Sequence, residues 1–103
     1  MKAEEIKILE KYMPLGSIVI LKNSIKKMMI VARGVVSGSD KEKQVYDYGA
    51  IFYPEGIIND RIIFINQQDI SKVIFEGYTD GDDKLMNDNI KTWLNEVKNK
   101  WEE

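Results

Sequence analysis

The chain has 103 residues, 44% of them apolar and 31% charged, the size and composition of one soluble domain that can bury a core without staples. It contains neither cysteine nor histidine, which excludes disulfides and thiolate metal sites and removes the commonest general base and metal ligand. The net charge of −2 is too weak a field to steer nucleic acid or an anionic membrane, although residues 52–103 hold more acidic side chains and fewer basic ones than residues 1–51.

The first stretch, MKAEEIKILEKYMPLG, breaks its apolar residues with acidic ones. It lacks the hydrophobic centre of a signal peptide, and no run in the chain approaches a membrane span, so a cytoplasmic protein without membrane contact is expected. Ile6, Leu9 and Met13 recur at helical spacing and predict a helix over residues 1–13, ended by Pro14. SIVILK (17–22) is a β-branched run of strand length, NSIKK a hairpin-type loop, and MMIVARGVV (28–36) the returning strand. Gly34 within that strand marks a bulge or sharp bend. SGSDKEKQ (37–44) is a polar loop.

The next strand, Val45–Tyr53, lies in the aromatic stretch YDYGAIFYPEG. Strict alternation places Tyr46, Tyr48, Ala50 and Phe52 on one face, the more apolar, and Val45, Asp47, Gly49, Ile51 and Tyr53 on the other. The rings of Tyr46, Tyr48 and Phe52 are therefore expected inside, with Asp47 and Tyr53 outside and Pro54–Gly56 turning the chain. RIIFI (61–65) reads as a fourth strand, NQQDIS as one helical turn capped by Asn66, and KVIFEGY (72–78) as a fifth strand. The final segment carries Met86, Ile90, Trp93, Leu94, Val97 and Trp101 on one stripe, a helix over residues 80–102 capped by Thr79 or Asp80. Asp82 and Asp83 suit its positive end, Lys98 and Lys100 its negative end. The whole is a single α+β domain: a strongly bent five-stranded antiparallel sheet or small barrel, with an N-terminal helix and a long amphipathic C-terminal helix.

The chemical motifs are sparse. DGDD (80–83) resembles the start of a calcium loop, but Lys84 occupies a position where an oxygen ligand is needed and the turn position holds no glycine. Glu55 and Asp60 form a carboxylate pair in a turn, without the base, nucleophile or metal ligands that a hydrolase requires. SGSDK lacks the phosphate-loop pattern. No catalytic, metal-binding or cofactor-binding residue is assigned, and a non-enzymatic protein is expected. Lys22, Lys26 and Lys27 could frame aromatic rings for single-stranded nucleic acid, a reading disfavoured by the acidic balance. The candidate contacts are with protein: Asp47, Tyr53 and Glu55 as an outward patch, and Trp93 and Trp101 on the terminal helix, which packs on its own sheet, binds a partner or forms a homodimer seam.

LGSIVILKNSIKKMMIVAR, YDYGAIFYPEG and QQDISKVIFEGY together, in this order and spacing, resemble the domain-of-unknown-function family 4176 of Gram-positive bacteria. The likeness covers about residues 12 to 80. It implies a small protein encoded beside LXG-type toxins of type VII secretion, one that assists export by binding the toxin's helical N-terminal domain. A cytoplasmic immunity protein is the alternative, and a nucleic-acid-binding small barrel the third.

Overall fold

Five strands and one long helix form in a computed structural model that describes residues 6–39 and 42–102. They are β1 (Ile18–Leu21), β2 (Lys27–Ser37), β3 (Gln44–Phe52), β4 (Ile63–Ile65), β5 (Ile70–Phe75) and α1 (Gly81–Glu102). The strands make one antiparallel sheet in the order β4-β3-β2-β1-β5. The fold is α+β, as its alternating apolar runs require. The two edge strands do not pair, so the sheet is open and the closed-barrel alternative fails.

The sheet is nonetheless curled, and chain length says why. β4 and β5 lie at opposite edges, yet only Asn66–Asp69 connect them. Five flat strands would put those edges about 19 Å apart. Five residue steps reach at most about 17 Å when fully extended, and Gln67–Asp69 form a tight 3-10 turn that shortens the reach further. The edges must therefore bend toward each other. Register slips supply curvature: Val31 of β2 is an extra residue against β3, and Ser71 and Ile74 of β5 are extra residues against β1.

The inside of the curl holds the core. Val19, Met28, Ile30, Val45, Tyr48, Ala50 and Ile65 from the strands meet Ile90 and Leu94 from α1. Val97 and Trp101 pack against the same cluster, so the helix closes its own sheet. Gly34 makes the close approach possible: its φ is +62°, and a Cβ built there would sit 2.7 Å from Ile90 Cγ2. Asp80 caps the helix, its carboxylate accepting the Asp83 N–H at 3.1 Å. The Asp83 carboxylate in turn meets the Arg33 guanidinium at 2.5 Å, both side chains nearly buried.

The predicted N-terminal helix is not present over residues 6–13; residues 1–5 lie outside the described part. This segment is an irregular strap over the mouth of the curl, with Ile6 and Tyr12 buried in the core. Two of its backbone donors are taken by distant side chains instead of by helical carbonyls. Tyr12 N–H donates to Asn87 Oδ1 at 2.7 Å, and Met13 N–H donates to the Tyr48 hydroxyl at 3.0 Å. Helical spacing of Ile6, Leu9 and Met13 is a local signal, and these long-range partners outweigh it.

Candidate functional site: the open face of the sheet

One face of the sheet is covered by α1 and the strap. The other faces away from α1, and register identifies its residues. Ile18 of β1 pairs with Met29 of β2 on one side and Phe75 of β5 on the other; Met29 pairs with Ile51 of β3. None of these four belongs to the core cluster. They form a cross-strand apolar row on the outside of the curl, in which Ile18 and Ile51 are buried, Met29 is half-buried and Phe75 at the end is 59% exposed. Two residues along β1 and β2, and three along β5 because of the extra Ile74, a second row contains Lys72 of β5, Ile20 of β1 and Lys27 of β2. Lys27 Nζ lies 6.0 Å from the centre of the Tyr53 ring, which places Tyr53 at the end of the same row.

A second apolar area spans β3 and β4. Gly49 pairs with Phe64, and a Cβ at Gly49 would meet Ile62 Cγ2 at 2.9 Å, so both side chains lie over the bare glycine. Tyr46 stacks on Phe64 with ring centres 5.5 Å apart. Ile62 and Phe64 are each about two-fifths exposed. A run of apolar groups on this scale is more than the scattered exposure that any soluble surface shows.

The aromatic stretch thus divides differently from strict alternation. Tyr48, Ala50 and Phe52 do face the core. Tyr46 instead turns out to Phe64, while Val45 points in beside Val36. Asp47, expected on the outside, is 8% exposed. Its carboxylate accepts the Gln67 N–H at 2.8 Å and its own N–H donates to Asn66 Oδ1 at 3.0 Å, so it ties β3 to the 3-10 turn. Burial raises its pKa above the ordinary carboxylate value, against the lowering effect of the Gln67 N–H. Tyr48 is fully buried, donates to Gln67 Oε1 and accepts from Met13, and burial pushes its hydroxyl up to about 12. These groups organise the fold from beneath; they do not present a patch.

The other candidates are scattered. Tyr53 is 43% exposed on the outer face. Glu55 is exposed and hydrogen-bonded by Lys26, which lowers its pKa. Trp101 is half-buried against the core, whereas Trp93 is 43% exposed on the flank of α1, near Met86 one heptad earlier. The structure therefore does not join Asp47, Tyr53 and Glu55 into one contact surface. Ile18, Ile20, Lys27, Met29, Lys72 and Phe75 share the outer face, with Ile18 buried, Ile20 and Met29 half-buried and Lys27, Lys72 and Phe75 exposed, and sequence reasoning passed over them. Their signal was present in SIVIL and MMIV, which are apolar at nearly every position and so have two apolar faces where one would suffice for a core.

Elsewhere, a groove of about 590 Å³ separates the strap from the first turns of α1, lined by Glu10, Lys11, Asp80, Asp83, Asn87 and Lys91 among others. Among the described residues no group of three His, Cys, Asp or Glu side chains is placed to hold a metal ion. No helix among them is long and apolar enough to cross a membrane.

A family model described as "Domain of unknown function (DUF4176)" matches residues 12–86, well over half of the chain. No curated protein and no solved structure matches it. The chain belongs to the DUF4176 family.

Proposed function

We propose that this DUF4176 protein is a non-enzymatic accessory factor, adaptor-like or chaperone-like, for type VII secretion of an LXG-type toxin. In this reading it works in the cytoplasm and holds the toxin's helical N-terminal domain on the open face of its sheet. The observation that supports a binding role is the set of apolar side chains exposed on the face away from α1, Phe75, Tyr53, Ile62 and Phe64, each two-fifths exposed or more. A rigid sheet with one face closed by its own helix is suited to present the other to a partner. The partner's identity follows from the family resemblance alone.

Co-expression with an LXG protein encoded beside the gene tests this directly. The N-terminal LXG domain is expected to co-purify with the wild-type chain, and Phe75→Glu, which puts a charge on the most exposed of these side chains, is expected to abolish capture. Failure of the wild-type chain to capture any LXG N-terminal domain refutes the proposal. If deletion of the gene poisons the producing cell while export continues, an immunity role replaces it.

A further inference from the structure

Two loops meet at one end of the sheet. The β1–β2 loop, residues 22–26, leaves from this end, and so does the segment after β3, because Met28 pairs with Phe52 and the Tyr53 N–H donates to the Lys27 carbonyl at 3.0 Å. An ion pair between Lys26 and Glu55 ties the loops together. Ile25 on the first loop is 95% exposed, and Ile57 and Ile58 on the second are 58% and 42% exposed. Asn59 and Asp60 adopt left-handed φ of 53° and 56°, which close a tight turn between Ile58 and Arg61 and leave the isoleucines at its corner. Residues 22–27 and 53–62 carry Lys22, Lys26, Lys27 and Arg61 against Glu55 and Asp60. Lys22, Lys27 and Arg61 are exposed and join no ion pair among the described residues. The acidic start of α1 is distant: Arg33, which holds Asp83, lies six residues along β2 from Lys27, about 20 Å of strand. Salt screens exposed charges beyond about 8 Å. The net charge of −2 therefore conceals an end that is both apolar and positive.

We infer that this end docks peripherally on an anionic lipid bilayer, with Ile25, Ile57 and Ile58 entering the headgroup layer and Lys22, Lys27 and Arg61 meeting lipid phosphates. The expectation of no membrane contact rests on hydropathy runs and net charge, and neither registers isoleucines and lysines that two separate loops bring to one tip. The inference goes beyond the adaptor reading and uses a different surface: Phe75 pairs with Ile18, at the end of β1 away from these loops. Two alternatives fit less well. A folded protein partner is met by flat or concave packing, and these isoleucines stand on convex corners. Single-stranded nucleic acid needs free rings to stack its bases, and Tyr53, the one ring on these loops, already has Lys27 Nζ 6.0 Å over its centre.

The test is co-sedimentation of the intact chain with vesicles of phosphatidylcholine alone and of phosphatidylcholine with an equal part of phosphatidylglycerol. Binding to the anionic vesicles is expected, weakening as salt rises, with at least about ten-fold weaker binding to the neutral ones. Ile25→Ser with Ile57→Ser keeps every charge and should weaken binding by about ten-fold or more. Lys22→Glu with Lys27→Glu should weaken it by about a hundred-fold or more, whereas Lys84→Glu on α1 should leave it unchanged. All five positions are exposed, so each variant is expected to melt like the wild-type chain. No binding to anionic vesicles at low salt overturns the inference. Full binding by the serine variant also overturns it, as does an equal loss with Lys84→Glu. Capture of a single-stranded oligonucleotide or an acidic peptide in preference to anionic vesicles overturns it too. LXG capture without vesicle binding refutes this inference alone; vesicle binding without LXG capture sustains it and refutes the adaptor reading.

Discussion

Replacing Gly34 with alanine tests the contact that docks α1 on the sheet. Two separate costs are expected. A residue with a Cβ at φ +62° occupies the left-handed region, which costs about 1–2 kcal/mol for a non-glycine residue. The new methyl would also sit 2.7 Å from Ile90 Cγ2, with the Leu94 Cδ1 at 3.7 Å behind it, an overpacking cost of about 1–3 kcal/mol. Together they remove about 2–5 kcal/mol from a domain whose total stability is on the order of 5–15 kcal/mol. For a chain of this length that lowers Tm by roughly 8 °C or more. Ile90→Ala by itself leaves a cavity and costs about 2–5 kcal/mol, but it also deletes the Cγ2 atom that the new methyl would strike. In the Ile90→Ala background, Gly34→Ala should therefore cost only its conformational part, about 1–2 kcal/mol. Urea melts of the four proteins measure the cycle. If Gly34→Ala costs under about 0.5 kcal/mol, or costs the same in both backgrounds, the account of helix docking at Gly34 is wrong.

Other outcomes follow from the buried polar groups. Asp47 is held above its ordinary carboxylate pKa by burial, so the folded state prefers it protonated; stability from this group is full below about pH 3.8 and declines as pH rises through the raised value. Asp47→Asn, which can still accept from Gln67, should raise Tm at neutral pH and flatten its decline across that window; a lower Tm at every pH would contradict this. Asn87→Ala leaves the Tyr12 N–H without its 2.7 Å acceptor and should cost about 1–3 kcal/mol, with faster limited proteolysis in residues 6–13 as the specific readout. Asp83→Ala strands the Arg33 guanidinium in a nearly buried site and should cost about 3 kcal/mol in a chemical melt, more than Arg33→Leu with Asp83→Leu together.

Sequence reading reached the elements whose determinants are local. Apolar runs and, for β3, alternation in an aromatic stretch marked the five strands, with β5 starting two residues earlier than expected and ending at Phe75, and the stripe from Met86 to Trp101 with Asp80 before it located α1 nearly to the residue. What it missed is decided at a distance. The strap over residues 6–13 carries a helical pattern, yet Asn87, 75 positions from Tyr12, captures its backbone. Strict period two fails in YDYGAIF because Asp47 bonds to Asn66 and Gln67, after the chain has turned back; Val45 and Tyr46 then exchange faces. The outer face was half legible. Apolar residues at every position of β1 announce two buried or sticky sides, but only the pairing of Lys27 and Lys72 with Ile20 reveals that one side has basic margins.

The extra residues Ser71 and Ile74 in β5 bear on how this sheet edge resists further strand pairing. β5 is a free edge rich in apolar side chains, the kind of border on which other chains polymerise. Each bulge breaks the regular spacing of donors and acceptors along that border, so an incoming strand finds no continuous ladder to extend. β4, at the opposite border, is only three residues long. A protein armoured at both borders but apolar on its face can exist at high concentration without zipping into fibres.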